Sequence, residues 1–370
     1  MSVRRGPGGY RPRRGISTPA LAALLLVPLL LGTSAGAGIR ATNLVLTTDG
    51  SSPSGPGGPS GTGWSAAAPF LHEQPFDRAF PAVTFDTVGT LGVLYGGEGP
   101  GGVALNDTWA NDGDHPGEWS NFSDEIVAGP PALIGATIAY DRPDNAYLLF
   151  GGQLANGTVS EETWEYQNFS NWTLVPASLG GPPAHVGAAV TYDAADGYIV
   201  LYDPAGNGTT WKFLGGHWSL LTTPTSPPER SGAIFVYDAA DRAALLYGGV
   251  SGGVPRNDTW EYAGDAWREV ASSGGAPPPS PAPVAAYDPR IPGVVVYEGE
   301  ATASTWEFAN GHWSALTSTG PGTPPARTGA GFYYDSIVGY DILFGGFAAG
   351  GSTVLSDVYG WSVPPPQLDL

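Results

Sequence analysis

The chain has 370 residues, of which 56 are Gly and 36 are Pro, about a quarter of the total and close to the range of low-complexity sequences. It also has 12 Trp, 17 Tyr and 13 Phe, and a disordered chain lacks large apolar groups in such numbers. We therefore expect Gly and Pro to separate many short ordered elements. The absence of Cys excludes disulfides, thiolate metal sites and cysteine nucleophiles. The net charge of −19 argues against a nucleic-acid partner.

The first 37 residues have the order of a secretory signal peptide. Five Arg and no acidic residue precede an apolar run at 21–31, and an A-x-A pattern follows at 35–37. This run is short for a membrane span of about 20 residues, so we expect a signal peptide, with an uncleaved signal anchor as the alternative. Residues 38–63 are expected to form a flexible Gly/Ser/Pro tether, and 364–370 a C-terminal tail. The sequence predicts a secreted protein or one on the extracellular cell surface.

Six repeats fill residues 64–363. Each contains an aromatic–Asp pair, then an apolar run that often ends in Gly-Gly, then a Thr-Trp segment and a second Trp. The pairs, spaced 45 to 55 residues apart, are Phe85-Asp86, Tyr140-Asp141, Tyr192-Asp193, Tyr237-Asp238, Tyr287-Asp288 and Tyr334-Asp335. In the fourth repeat the pattern predicts strands A to D at 231–237, 243–247, 258–262 and 266–270. Four strands in a unit of this length are typical of a propeller blade, so the sequence predicts an all-β, six-bladed β-propeller with four antiparallel strands per blade.

The sixth repeat has no fourth strand of its own. The segment Gly63-Trp64-Ser65 has the pattern of a strand D, and Trp64 precedes Trp119 by 55 residues, the spacing of the repeat. We therefore expect the N-terminal segment to complete the last blade, which closes the ring and removes an exposed sheet edge. Removal of residues 61–71 is expected to open the ring.

The repeats share Arg-x-Gly before strand A, Gly-Gly after strand B and Asp-Thr-Trp-Glu-Tyr on strand C, best seen at 230–232, 327–329 and 258–262. In these motifs the chain resembles the kelch family over about 64–363. It implies a six-bladed propeller similar to the central domain of galactose oxidase. A related seven-bladed or six-bladed sugar-binding propeller is the alternative, and six countable units favour six blades. The third and fifth units lack Gly-Gly, and the Arg position holds Leu133, His185 and Ser280 in units two, three and five. The copper radical oxidases among kelch propellers need a Cys–Tyr cofactor, so the absence of Cys excludes that activity, and no cofactor is expected.

Polar residues at equivalent positions are the candidate ligand contacts. Four of them lie seven residues before the aromatic of strand A, and a propeller places such positions around its axis on the face where the B–C loops open. The candidates are Arg78, His185, Arg230, Arg327, Glu98, Asp203 and Glu300. The functional hypothesis is a polar funnel in which Arg donates forked hydrogen bonds to carboxylates or sugar hydroxyls. The alternative, favoured by the repetition, is that Arg satisfies backbone groups between blades. No metal site is expected, because the few histidines lack ligand spacing.

Seven sequons of the form Asn-x-Ser/Thr are candidate glycosylation sites: Asn106, Asn121, Asn156, Asn168, Asn171, Asn207 and Asn257. The sequence as a whole favours a monomeric, exported or surface-displayed, non-catalytic binding module that recognises a protein or carbohydrate on the face of the B–C and D–A loops. A carbohydrate-active enzyme of hydrolase, epimerase or lyase type and a structural envelope component are the alternatives. Membrane contact is expected only through an uncleaved N-terminal anchor.

Overall fold

The structure, a computed structural model, describes residues 62–66, 75, 77–86, 91–111, 119–167, 170–177, 180–204, 208–271, 275–299, 303–318, 322–336 and 339–363. The predicted signal peptide, nearly all of the predicted tether and the predicted tail lie outside these residues. The named secondary-structure elements of the described part are β-strands, apart from one 3-10 helix at Ser123–Glu125. None of its helical segments is long and apolar enough to cross a membrane.

Six antiparallel four-stranded sheets form the six blades of a β-propeller, as the sequence predicts. In each blade the strands run from inner strand A to outer strand D. Blade 1 consists of Ala82–Phe85, Gly92–Gly99, Val103–Asn111 and Ser120–Asn121, blade 2 of Thr137–Asp141, Ala146–Phe150, Thr163–Tyr166 and Trp172–Leu174, and blade 3 of Ala189–Asp193, Tyr198–Asp203, Thr209–Leu214 and His217–Leu221. Blade 4 consists of Ile234–Asp238, Ala243–Tyr247, Thr259–Ala263 and Ala266–Val270, blade 5 of Val284–Asp288, Gly293–Glu298, Ser304–Ala309 and His312–Leu316, and blade 6 of Gly331–Asp335, Tyr340–Phe344, Val358–Ser362 and Gly63–Ala66. Three two-stranded pairs join Leu133–Ile134 to Gln153–Leu154, Val250–Ser251 to Val254–Pro255, and Arg327–Thr328 to Phe347–Ala348.

The Asp of each aromatic–Asp pair is the last residue of strand A or, in blade 1, directly follows it, and its hydrogen bonds in blades 3 and 4 show how the turn forms. In blade 4 the Asp238 carboxylate accepts hydrogen bonds from the backbone N–H groups of Ala240 and Asp241. Asp193 does the same in blade 3 with the second and third residues after it. Asp is favoured in turns because its short side chain can satisfy backbone N–H groups in this way. The turn then reverses the chain into strand B.

The core lies in the seams between blades. The A strands of consecutive blades contact one another in a closed circle of six, and six apolar clusters each fill one seam. Strand B is covered on both faces by this arrangement. In blade 4 all five residues of Ala243–Tyr247 are buried, which explains why strand B is a continuous apolar run rather than an alternating pattern.

The second Trp of each repeat ties its blade to the preceding one. Its indole N–H donates to the hydroxyl of the Thr that precedes the strand C Trp in the preceding blade. The pairs are Trp172 with Thr108, Trp218 with Thr163, Trp267 with Thr210, Trp313 with Thr259 and Trp64 with Thr305, at 2.7 to 3.0 Å. At the sixth seam blade 6 has Val358 at the Thr position, and Trp119 donates instead to the hydroxyl of Tyr333, at 3.2 Å.

The N-terminal strand closes the propeller. Gly63–Ala66 pairs antiparallel with Val358–Ser362, and Trp64 stands opposite Trp361. Trp64 is fully buried and makes the seam bond to Thr305 that its position in the repeat predicts. The expected closure of blade 6 by the N-terminal segment is therefore confirmed.

Candidate functional site

The predicted arginines of blades 1, 4 and 6 are buried within their own blades. In blade 4 the Arg230 guanidinium donates two hydrogen bonds to the Asp258 carboxylate, at 2.7 and 2.5 Å. It also donates to the carbonyls of Gly248, at 3.4 Å, and Pro228, at 3.1 Å. The same set of bonds is made by Arg78 with Asp107, Gly96 and Pro75, and by Arg327 with Asp357, Gly345 and Pro325. This unit explains why an Arg before strand A, Gly-Gly after strand B and an Asp at the start of strand C occur together in these three repeats.

These bonds leave the guanidinium little capacity for a ligand. Burial alone raises the pKa of Asp258, but the hydrogen bonds and positive charge of Arg230 outweigh it and hold this pKa below its ordinary value. The pair is therefore charged at neutral pH, and four of the five guanidinium donors are used inside the blade. The geometry supports the alternative in which Arg satisfies groups of the fold, while contact with a ligand stays a prediction.

Of the other predicted contacts, His185 and Asp203 lie together in blade 3, and Glu98 lies in blade 1. In blade 3 the Nδ1 atom of His185 is 3.3 Å from the Oδ1 atom of Asp203, and the His185 side chain is 30% exposed while that of Asp203 is fully buried. Glu98 is half-buried on strand B of blade 1, and its backbone bonds to that of Ala79. Glu300 lies outside the described residues. The structure therefore brings His185 and Asp203 together within blade 3, and it does not bring the described candidates of different blades together.

A central cavity of about 640 Å³ runs along the inner strands of all six blades. Each strand A lies at the end of its sheet and pairs only with its strand B. Its other edge faces the axis and presents backbone N–H and C=O groups that have no ladder partner within the described sheets. None of the predicted ligand residues that the structure describes lines this cavity.

Backbone hydrogen bonds between blades narrow the channel at the start of the A strands. Phe80 N–H donates to the Gly329 carbonyl at 2.6 Å, and Gly135 N–H donates to the Phe80 carbonyl at 3.1 Å. Gly187 then donates to Gly135 at 3.5 Å, and Gly232 to Gly187 at 3.0 Å. The four glycines have φ between +65° and +73°, a conformation that glycine adopts readily. The cavity lining begins just beyond these residues and continues into the described parts of the A–B turns.

Six aromatic residues surround the cavity where strand A meets the A–B turn, and we call them the aromatic collar: Phe85, Tyr140, Tyr192, Tyr237, Tyr287 and Tyr334. Each is half-buried and packs into the apolar cluster between its blade and the preceding one. The collar therefore seals the seams and also lines the opening. The sequence marks these positions as the aromatic–Asp repeat, but it does not show that they frame a cavity.

The collar carries no charge, and five of its six residues carry a hydroxyl group. Burial raises the pKa of all five of its tyrosines above the ordinary value of 10.0, and nearby carboxylates add to the effect. Their hydroxyls are therefore protonated at physiological pH. Among the described lining residues only Asp86 and Arg142 carry charge, and these two charges have opposite signs.

A buried carboxyl group distinguishes the seam between blades 5 and 6. Arg290 donates to both oxygens of Asp288 at 2.6 to 3.1 Å, and its guanidinium lies 3.7 Å from Asp341 and 5.1 Å from the centre of the Tyr334 ring. Burial, followed by the charge of Asp288, raises the pKa of Asp341 well above its ordinary value. In the other blades the residue that pairs with the collar aromatic is uncharged: Gly92, Tyr147, Ile199, Ala244 and Val294.

Five of the seven predicted sequon asparagines are exposed: Asn106, Asn121, Asn156, Asn171 and Asn257. The other two, Asn168 and Asn207, lie outside the described residues. The Asn171 side-chain carbonyl also accepts a hydrogen bond from Val127 N–H at 2.7 Å. Across the described residues, no three His, Asp or Glu side chains converge closely enough to hold a metal ion.

Comparison with known proteins establishes the fold and nothing finer. No protein-family model and no curated protein matches the chain. Among solved structures the chain is similar to the protein YjhT, with 14% sequence identity, a TM-score of 0.58, and coverage of 80% of this chain and 98% of that one. At such an identity the likeness shows a shared architecture, and the chain is a six-bladed β-propeller related in fold to YjhT.

Proposed function

We propose that this protein is an exported, non-catalytic binding module built from kelch-type repeats, and that it holds its ligand, a protein or a carbohydrate, in the central channel. The observation that carries the proposal is the cavity of about 640 Å³ framed by the aromatic collar. Ligand sites in proteins are usually concave, of about 300–1,000 Å³, and lined by aromatic and apolar groups with a few polar ones. The N-terminal sequence pattern supports export.

The charge of the lining favours binding over catalysis. General acid–base chemistry requires positioned titratable groups near the reacting atoms. The described lining offers one carboxylate, Asp86, together with Arg142. The collar tyrosines have raised pKa values, so they are poor bases at neutral pH. These features suit a site that holds a molecule without transforming it.

The proposed site lies at the opposite end of the channel from the B–C loop face that the sequence favours. The arginines of that face are occupied by Asp258 and its equivalents, and the interblade backbone bonds narrow the channel there. The A–B turns, in contrast, meet the cavity directly, and Ala194 and Ala239 in two of them are exposed and line it. Entry of the ligand from the A–B turns therefore agrees with the narrowing of the channel at the B–C loop face.

A steric block tests the proposal. The double variant Ala194→Trp/Ala239→Trp places two large side chains at the opening, and the matched control Ala195→Trp/Ala240→Trp changes the adjacent residues, which are exposed but outside the lining. Both are screened against a glycan array and a peptide array alongside the unaltered protein. Ligands of the unaltered protein should be lost by the blocked variant and kept by the control. Equal binding by both variants would show that the ligand is held elsewhere.

A further inference from the structure

The walls of the cavity present two kinds of surface to a ligand. The collar contributes ring surfaces that are partly exposed, and five of its members also carry a neutral hydroxyl. The strand A edges contribute backbone N–H donors and C=O acceptors in alternation around the axis. A suitable ligand therefore has apolar faces for the rings and groups that both donate and accept hydrogen bonds for the edges. A pyranose sugar has C–H faces and hydroxyls that meet both conditions.

The charges around the cavity select against an anionic ligand. Asp86 and Arg142 offset each other in the described lining, while the aspartates that follow the collar residues lie directly behind it. Those of blades 2, 3 and 4 have pKa values raised by burial, and neighbouring carboxylates add to the effect. The whole chain carries −19. An anion entering this end would approach a surface whose net charge is negative.

A cationic ligand fits less well than a neutral one. The carboxylates of Asp193 and Asp238 are 1% and 2% exposed, and each accepts hydrogen bonds from the N–H groups of its own turn. Neither is part of the cavity wall. The one carboxylate in the described wall, Asp86, is balanced by Arg142. The lining thus offers many backbone and hydroxyl dipoles and aromatic faces, but little net charge.

The two ends of the channel differ, and this difference determines how a polymeric ligand would enter. The cavity meets the A–B turns, whereas interblade hydrogen bonds through Phe80 and four glycines narrow the opposite end. A polymer would therefore insert one end and stop, rather than thread through. The cavity volume of about 640 Å³ is sufficient for a short oligosaccharide rather than a single small ion.

On the basis of the proposed function, we propose that the channel binds the terminal residues of a neutral oligosaccharide, which enters from the A–B turn end and stacks on the aromatic collar. The collar tyrosines recognise sugar faces, and the axis-facing edges of the A strands hydrogen-bond the hydroxyls, except at Tyr237, whose N–H donates to the Thr191 hydroxyl. A ligand without a free chain end is excluded, because the narrowed end prevents passage.

Matched glycans separate charge from shape. The full chain is titrated calorimetrically with the neutral oligosaccharides selected from an end-immobilised glycan array, and with chito-oligosaccharides, their deacetylated cationic counterparts and anionic oligogalacturonates. Linear malto-oligosaccharides are compared with cyclodextrins, which have no chain end. We expect binding confined to neutral linear glycans, with an affinity that stays within twofold between 50 and 500 mM salt, because no net charge is paired. Binding confined to charged glycans, or binding only to peptides, would overturn the inference.

Variants of the collar locate the contact. Tyr192→Ala and Tyr287→Ala are each expected to weaken binding of the selected neutral glycan about tenfold, and Tyr192→Phe and Tyr287→Phe less than threefold, because the ring face carries most of the contact. Since the collar also seals seams, the exposed Ala194→Trp/Ala239→Trp block provides a second test that does not depend on folding of the alanine variants. Peptide binding that this block abolishes would overturn the neutral-glycan inference and leave the channel function intact. Glycan binding that the block leaves unchanged would refute both.

Discussion

Closure of the ring by the N-terminal strand gives the sharpest prediction about stability. Trp64 is fully buried in the seam between blades 5 and 6, with ring centres 5.5 Å from Tyr297 and 5.5 Å from Trp361. Its indole N–H donates to the Thr305 hydroxyl at 2.7 Å. Substitution Trp64→Ala removes both the packing and the hydrogen bond of a residue that joins the two ends of the chain.

The expected cost follows from these contacts. Truncation of a buried Trp to Ala costs about 3–5 kcal/mol through lost burial and the cavity left behind. The unmet hydrogen bond adds about 1 kcal/mol, so we expect a loss of about 4–6 kcal/mol in the free energy of unfolding. Domains are typically stable by only about 5–15 kcal/mol, so the variant is expected to be near the limit of folding.

The assay is urea unfolding, followed by Trp fluorescence and far-UV circular dichroism, together with light scattering of the native sample. Trp64→Phe keeps an aromatic ring and should cost about 1–2 kcal/mol. Trp218→Ala is the matched control, because Trp218 is similarly buried and donates to Thr163 at 2.9 Å, yet its strand is held by chain on both sides. Only loss of the N-terminal strand, through Trp64→Ala or deletion of residues 1–71, should expose the edge of Val358–Ser362 and promote self-association. Unchanged stability and a monomeric state after that deletion would refute the closure argument.

Three further predictions concern the buried charges. Arg230→Gln leaves the carboxylate of Asp258 without its partner and should cost about 3–5 kcal/mol in urea unfolding, whereas Arg268→Gln, whose side chain is 67% exposed, should cost less than about 1 kcal/mol. If Arg230→Gln instead abolished ligand binding at full stability, the arginine would be a ligand contact. Because the pKa of Asp141 is raised to about 6, the folded state holds a proton that the unfolded state releases, and thermal scans from pH 7 to pH 5 should show stability rising by about 1 kcal/mol. Asp341→Val should raise stability at pH 7.5 and reduce the slope of stability against pH, and a lower melting temperature for this variant would contradict the reasoning.

The repeat allows most of the fold to be predicted from the sequence. In blade 4 the predicted strands B and D have the observed bounds, Ala243–Tyr247 and Ala266–Val270, because continuous apolar runs between turn residues leave little choice. Predicted strand A begins three residues too early, since the segment 231–233 is drawn into interblade contacts at Gly232 and into a bridge between Ser231 and Val250. Such contacts depend on other parts of the fold and produce no local pattern in the sequence.

The candidate site was harder to predict for a physical reason. Repeated arginines such as Arg230 and Arg327 are natural candidates for ligand contacts in a sequence. In the structure, acidic residues about thirty positions away pair with them within the same blade. The cavity is lined mainly by strand edges and by aromatics that serve the seams as well. Backbone edges have no sequence signature, because any residue supplies them. The aromatic–Asp repeat was the available signal, and it indicates a turn and a seam just as well as it indicates an opening.

Asp341 shows how a departure from the repeat can carry information that the repeat cannot. Its backbone position, opposite the collar aromatic, holds an uncharged residue in the other five blades, so the fold does not require a carboxyl there. Burial and Asp288 raise its pKa well above the ordinary value, so the folded state binds a proton more tightly than the unfolded state does. Its contribution to stability is therefore present in acid and is lost as the pH rises towards the folded-state pKa. Asp258, with its lowered pKa, acts in the opposite direction and loses its contribution only below about pH 4. The two together place the stability maximum at mildly acidic pH, and removal of the Asp341 carboxyl should move that maximum towards neutrality.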